Sequence, residues 1–437
     1  MHAGQREVIA LRFADPDGDA VSIESLAAAS VGGQAELGSA GQVVYTPPAG
    51  WLGTTTIPMV LRDARGARTS ATLRVDVTYL GGPTDLVSYR NATGQTSAGA
   101  SRSGGANDRH GKISDDGRFV VVQSENALLG ETAGFSGLRD RLTGAVIAVP
   151  PGAQQIQLSG DGMRVAFTQD LDGVLNLRVL DRATGVILTT DPLPSSDLGR
   201  WSLSHHGDFA AFYAWETGMV SRWHLGAGFD QQFPVAHAGL VIAHPEISDD
   251  GRRIVITHAV PWGPPPETDP YQPQQFSAIA VWTQGQGVTT LLRTDILYWS
   301  DIGLSGDGTV AAIPGGQGNV LILNLATQAE RWVAGGPAAV VLARDGSWVA
   351  STQRVIDGGP ARYLVKRTDL GTNETIDLAT VLGDGFYGVN HALARSAPYL
   401  LVNDGQTRSP RDTNAPADDV YVLGVPGWLP ALPHSVN

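Results

Sequence analysis

Apolar residues in this chain come in short runs, and none keeps a helical period. Between residues 7 and 79 they alternate with polar ones, as in "EVIALRFAD" and "TLRVDVTYL", while "QVVYTPPAGWLG" runs from strand into turn. A period of two predicts strands with one buried face, and the turns between them make a β-sandwich the expected architecture. Beyond residue 84 the pattern changes. The runs "FVVV", "RVAF" and "RIVI" are apolar on both faces, which predicts strands buried between two neighbouring layers.

Each two-faced run follows the same turn. The copies are "ISDDGRFVVV" (113), "LSGDGMRVAF" (158), "LSHHGDFAAF" (203), "ISDDGRRIVI" (247), "LSGDGTVAAI" (304), "LARDGSWVAS" (342) and a decayed "LARSAPYLLV" (393). They recur every 38 to 57 residues, about one four-stranded propeller blade. Ser and Asp side chains cap backbone N–H groups in such a turn, and Gly supplies positive φ. A second marker, a strand leading into another turn, lies between copies: "LRDRLTG" (138), "VLDRATG" (179), "SRWHLGAG" (221), "VWTQGQG" (281), "LILNLATQ" (321), "VKRTDLGT" (365) and "VYVLGVPG" (420). Two markers, seven of each, predict seven blades.

The order "ADPDGDAVSI", "YTPPAGWLGTTTIPMVLRDARG", "ATLRVDVTY" resembles the bacterial cadherin-like, Ig-like tandem domains of surface proteins. "IPMVL" stands where those domains usually carry an aromatic residue. The repeat region resembles the TolB-like β-propellers, and "TDLVSYR" (84 to 90) is expected to cross over and complete the last blade. The expected fold class is therefore all-β, a small β-sandwich domain followed by a seven-bladed β-propeller. The expected divisions are a sandwich over 1–80, a Gly/Pro hinge at 81–84, the propeller over 85–427 and a tail over 428–437.

Composition narrows the function. A net charge of −13, with no basic stripe, argues against a nucleic-acid partner. The absence of cysteine removes disulfides, thiolate metal sites and Cys nucleophiles. No apolar stretch approaches the roughly 20 residues of a membrane span. Residues 1 to 14 lack the basic start and apolar middle of a signal peptide. The chain opens abruptly, as expected of a piece of a larger exported protein. There is no Gly-x-Ser-x-Gly elbow, no His-Glu-x-x-His and no phosphate-binding loop.

Candidate chemistry gathers at the tunnel mouth, where the innermost strand of each blade starts, about four residues before its turn. Around the ring this position reads His110, Gln155, Arg200, His244, Asp301, Ala339 and Asn390, with His391 adjacent. Imidazoles and a carboxylate suit Zn, Mn or Fe, so His110, His244, Asp301 and His391 are candidate metal ligands. The TolB-like resemblance implies the same place, because that group includes pectin-fragment lyases with a histidine-rich metal site at the mouth. Polar mouths that only bind water are the alternative. His110, His244, Arg200 and Asp301 are the candidate catalytic residues, Arg200 holding an anionic group. Gln155 and Asn390 are candidate ligand contacts. So are Trp262 and Tyr271, in the long loop 259–276, which are able to stack on a sugar ring. A second long loop, 403–419, carries Asp412, Asn414, Asp418 and Asp419, for which a capped turn is the alternative to calcium. His205 and His206 read as surface turn residues.

In the first segment, Asp15, Asp17 and Asp19 flank Gly18, and oxygen clusters suit Ca²⁺. By the resemblance, Asp63 is the remote ligand. An Asx-rich turn is the alternative. The leading functional expectation is an exported bacterial surface or periplasmic binding or adhesion module. It would take a small molecule, glycan or protein at the propeller's top face, as a monomer or within a longer multidomain protein. The rival is a metal-dependent hydrolase or lyase.

Overall fold

The structure is a computed structural model. It describes residues 6–424 except 12, 14, 16–18, 40, 49–52, 78–83, 87–100, 103–110, 125–134, 193–197, 215–216, 235–244, 262–274, 298–300, 317, 337–339, 356–361, 383–390, 397–398 and 405–418. The described residues contain strands and turns and no helix. They fall into two compact units.

The first unit has two three-stranded sheets. One runs Glu7–Ala10, Gln42–Thr46, Gln34–Leu37, and the other Val21–Leu26, Gly53–Asp63, Arg68–Val77. Alternation builds it as expected: Ile57, Met59 and Leu61 are buried, while the intervening Pro58 and the following Arg62 are exposed. Ile57 joins Val43, Tyr45, Val75 and Val77 in the core. The Tyr45 hydroxyl donates to the Gly32 carbonyl at 2.8 Å, so the buried phenol keeps a partner.

The remaining described strands form seven four-stranded sheets. Each is a blade, numbered here along the chain. Blade 2 is representative, with Gln154–Leu158, Arg164–Leu171, Val174–Asp181 and Ile187–Pro192 in that order. The inner strand enters the Ser-x-Asp-Gly turn, and the second marker ends the third strand. Blade 7 runs His391–Leu393, Tyr399–Asp404, Asp419–Gly424 and Thr84–Leu86. Its outer strand therefore comes from the start of the repeat region.

The turn works as its residues predict. In blade 2, Ser159 Oγ donates to Asp161 Oδ1 (2.6 Å), which also accepts the Met163 N–H (2.9 Å), and the Arg164 N–H donates to Ser159 Oγ (2.9 Å). The same bonds recur at Ser114/Asp116, Ser248/Asp250 and Ser305/Asp307. Gly162 takes φ +68°, a conformation that a side chain disfavours.

The two-faced strands serve two cores each. Val165 and Phe167 pack against Phe119, Val121 and Leu138 of blade 1. The residue between them, Ala166, packs with Trp201 and Phe212 of blade 3. Ile254 and Ile256 likewise join blade 3, and Val255 joins blade 5. Each such side chain gains about 1.5–3 kcal/mol from burial, so blades without neighbours would leave half that gain in water.

Backbone bonds run from turn to turn around the axis. Asp115 N–H donates to Gly160 O, Asp161 N–H to His205 O, Asp249 N–H to Gly306 O and Gly306 N–H to Arg344 O. Arg344 N–H donates to Arg395 O, and Ser396 N–H returns to Asp115 O at 2.9 Å. The last bond joins blade 7 to blade 1, so among the described residues such bonds span six of the seven blade boundaries, all but that between blades 3 and 4.

Candidate functional site

All seven blades line one cavity of about 80 Å³ on the propeller axis. Its wall comes from the inner strands, whose pleat alternates axial and interior side chains. Lys112 and Glu246 both line it, at 1% and 7% exposure. The Lys112 ammonium donates to the Ile156 carbonyl. Gln157, another wall residue, donates through Nε2 to the Trp201 carbonyl at 2.9 Å. Opposite charges are thus held in one buried channel, where Coulomb interactions are stronger than in water.

At the turn end, the second residues of the Ser-x-Asp-Gly copies pair across the intervening blade, and Asp115, Gly160, His205 and Arg395 among them line the cavity. His205 Nδ1 lies 2.8 Å from Asp115 Oδ2, and Arg344 Nε donates to Asp249 Oδ2 at 2.8 Å. The Arg395 guanidinium donates to the carbonyls of Leu304 and Leu342. Among the described residues, this ring gathers opposite charges at the turn end of the inner strands.

The residues singled out in the sequence are distributed as follows. Asp301 is buried, two residues before the inner strand Gly303–Leu304, and its neighbour Ile302 lines the cavity. Gln155 lies in the irregular stretch of the blade 2 inner strand, with φ +48°, and its Oε1 accepts the Trp201 indole N–H at 2.9 Å. The backbone places Arg200 on the inner strand Leu198–Leu203 and His391 at the start of His391–Leu393. His110, His244, Asn390, Trp262, Tyr271 and Asp17 lie outside the described residues, as do 262–274 and 405–418 of the two long loops.

In the first unit, Asp63 Oδ1 accepts the N–H groups of Arg65 (2.9 Å) and Ala67 (2.7 Å), closing a turn. Asp19 Oδ2 lies 3.1 Å from Arg65 Nε, and Asp15 Oδ1 accepts the Asp19 N–H at 3.3 Å. Asp63 and Asp15 thus accept backbone N–H groups, and Asp19 pairs with Arg65.

Sequence reasoning passed over Lys112, Glu246 and the second turn position. Lys112 had a signal, being one of only two lysines in the chain and next to a turn. His205 and His206 do sit in a turn, but only His206 is exposed, at 57%; the His205 side chain is 10% exposed.

Residues 3–76 match the family model of the bacterial Ig domain. No curated protein matches the sequence. Among solved structures, the tricorn protease aligns with a TM-score of 0.51 and 12% identity. That alignment covers 80% of this chain and 36% of the protease, so this chain spans about a third of that protein. An oligogalacturonate lyase in complex with manganese gives 0.51 and 13%, over 86% of this chain and 99% of the lyase. The oligogalacturonate lyase of Vibrio parahaemolyticus gives 0.51 and 13%, over 79% and 94%. At these identities the likeness concerns fold. The alternating strands, the seven four-stranded sheets and these comparisons give one result: a bacterial Ig domain followed by a seven-bladed β-propeller.

Proposed function

We propose that the chain is an exported binding or adhesion module whose propeller takes a small molecule, glycan or protein segment at the mouth of its axial channel. The observation that carries this reading is the cavity lined by all seven blades, with buried Lys112 and Glu246 in its wall and the His205–Asp115 pair at its turn end. A ligand then approaches from the side where the inner strands start. Export is supported by the bacterial Ig domain. Among the described residues no helix is long and apolar enough to cross a membrane. In this reading Ca²⁺ at Asp15, Asp17, Asp19 and Asp63 stiffens the Ig domain. Calorimetric Ca²⁺ titration of wild type and Asp17→Asn tests that part.

The direct test is a glycan and oligogalacturonate panel read by calorimetry on the full chain. A ligand of this site should bind at least tenfold more weakly to Lys112→Met and Glu246→Gln. A ligand indifferent to both, and to Trp262→Ala, would place recognition elsewhere.

Asp301 favours a second reading, because it is a carboxylate buried beside the channel. In this reading His110, His244 and His391 would join it as a donor set suited to a divalent transition metal. Bound there, the ion would polarise a substrate oxygen or activate water. Arg200 would hold the substrate's anionic group. The manganese complex of the oligogalacturonate lyase, a protein of the same fold, supports this reading. Turnover of acidic oligosaccharides that disappears in His110→Ala and His244→Ala would favour the enzyme, and activity surviving both would remove it.

A further inference from the structure

A histidine cluster lies at the turn end of the inner strands, away from the proposed mouth, although His205 also lines the axial channel. Asp161 of blade 2 and His205 and His206 of blade 3 each offer a ligating atom, all within 4.8 Å of one another. His206 Nδ1 is 2.8 Å from Asp161 Oδ2. The two imidazoles meet edge to face, with centroids 4.6 Å apart.

The backbone fixes this arrangement before any ion arrives. Asp161 N–H donates to the His205 carbonyl at 3.0 Å, and Arg164 Nη1 donates to the His206 carbonyl at 2.9 Å. Both histidines are therefore anchored from blade 2. Asp161 Oδ1 is occupied by Ser159 Oγ and the Met163 N–H, which leaves Oδ2 for the cluster. Arg164, the nearby cation, is itself paired with Asp208. His205 Nδ1 faces Asp115 Oδ2 of blade 1. A carboxylate on one imidazole nitrogen sets the tautomer and raises the basicity of the other, as behind many metal-bound histidines.

We propose that Asp161, His205 and His206 form a site for a divalent transition metal of the Zn²⁺ class, which staples the turn of blade 2 to the turn of blade 3. The donors are one carboxylate and two imidazoles. That set suits Zn²⁺ and leaves a coordination position for water. His205 ligates through the nitrogen turned away from Asp115, and Asp115 is a positioning residue. Of the seven turn copies only this one carries histidine, and its two lie at the second and third motif positions. Because the third position of the preceding blade is Asp161, one blade boundary brings the whole donor set together.

The experiment uses untagged full-length protein stripped with chelator, then titrated with Zn²⁺ by calorimetry and with Co²⁺ by visible absorption. Expected are one Zn²⁺ bound by this cluster, a higher thermal midpoint and tetrahedral Co²⁺ bands. His206→Ala and Asp161→Asn should each weaken binding at least tenfold, and Asp115→Asn severalfold. His206 is exposed, so its removal leaves the fold intact, and circular dichroism of the metal-free variant checks this. Unchanged Zn²⁺ affinity in both His206→Ala and Asp161→Asn would overturn the proposal, as would no binding at all. Binding lost instead in His110→Ala and His244→Ala would also overturn it, while supporting the metal site at the mouth.

Discussion

Two turns of the propeller solve one steric problem with different chemistry. At the second motif position, Gly160 sits between Asp115 and His205, and Gly306 sits between Asp249 and Arg344. A Cβ on Gly160 would stand 2.4 Å from His205 Nδ1 and 2.5 Å from Asp115 Oδ2. On Gly306 it would stand 2.2 Å from Asp249 Oδ2 and 2.8 Å from Arg344 Cγ. Each glycine clears a path for a pair joining the blade before it to the blade after it. Neither is called for by positive φ, so space alone demands them. The two pairs differ in burial and in charge. Asp115 and His205 are 9% and 10% exposed, against 21% and 35% for Asp249 and Arg344. Arg344 is always charged, whereas an imidazole is able to lose its proton and bind metal. The same scaffold position thus gives a fixed ion pair on one side and, in our proposal, support for a metal site on the other.

The strongest way to break the comparison is to fill the gaps. Gly160→Ala should cost about 3 kcal/mol, because the clash is with the ends of two buried side chains and also parts their bond. Gly306→Ala should cost about 1–2 kcal/mol, since both Asp249 and Arg344 are partly exposed and have room to move toward solvent. Denaturant midpoints measure both. Adding His205→Ala to Gly160→Ala should recover part of the loss. Strict additivity of the two would show that the imidazole is not what the missing Cβ protects.

Removing the pairs themselves comes next. His205→Ala should cost about 2 kcal/mol, because it leaves Asp115 buried without the imidazole. Arg344→Ala should cost about 1 kcal/mol or less, and this loss should shrink further in 0.5 M salt, as expected of a pair partly in water. Equal losses for the two variants, with equal salt dependence, would erase the distinction in burial.

Why the blades were legible and the axial pairs were not follows from sequence distance. Ser159, Asp161 and Gly162 act within five residues of one another, so the turn chemistry is written locally and repeated. The two-faced "RVAF" stated the layered packing because neighbouring strands demand apolar surface on both sides. In the second marker, Asp181, Asn324 and Asp369 all cap the turn that follows. Gln328 and Asn373 take positive φ where Gly185 does so in blade 2, so the turn is kept while its residue changes. The second motif position varies as Asp, Gly, His, Asp, Gly, Arg, Arg. Its meaning lies in partners 90 and 95 residues away, skipping a whole blade. Lys112 stood out as one of two lysines, but its placement with Glu246 in one channel was hidden, since only ring closure brings them together.

The smallest effect sharpens the comparison at the turn containing Gly306. Burial alone would raise the Asp307 carboxyl. Hydrogen bonds from Ser305, the Thr309 backbone and the Thr309 hydroxyl, with the charge of Arg253, outweigh it and hold the group below its ordinary 3.8. A carboxylate depressed on folding adds stability that is present above about pH 3.8 and lost as pH falls through the folded value. Asp307 is exposed, so solvent screening limits its share to a few tenths of a kcal/mol. Urea midpoints at pH 5 and pH 3 should therefore converge slightly in Asp307→Asn relative to wild type. Thr309→Val should move them in the same direction by less, because one of the three hydrogen-bond donors is removed. An unchanged separation in Asp307→Asn would mean that the carboxylate is incidental to the turn.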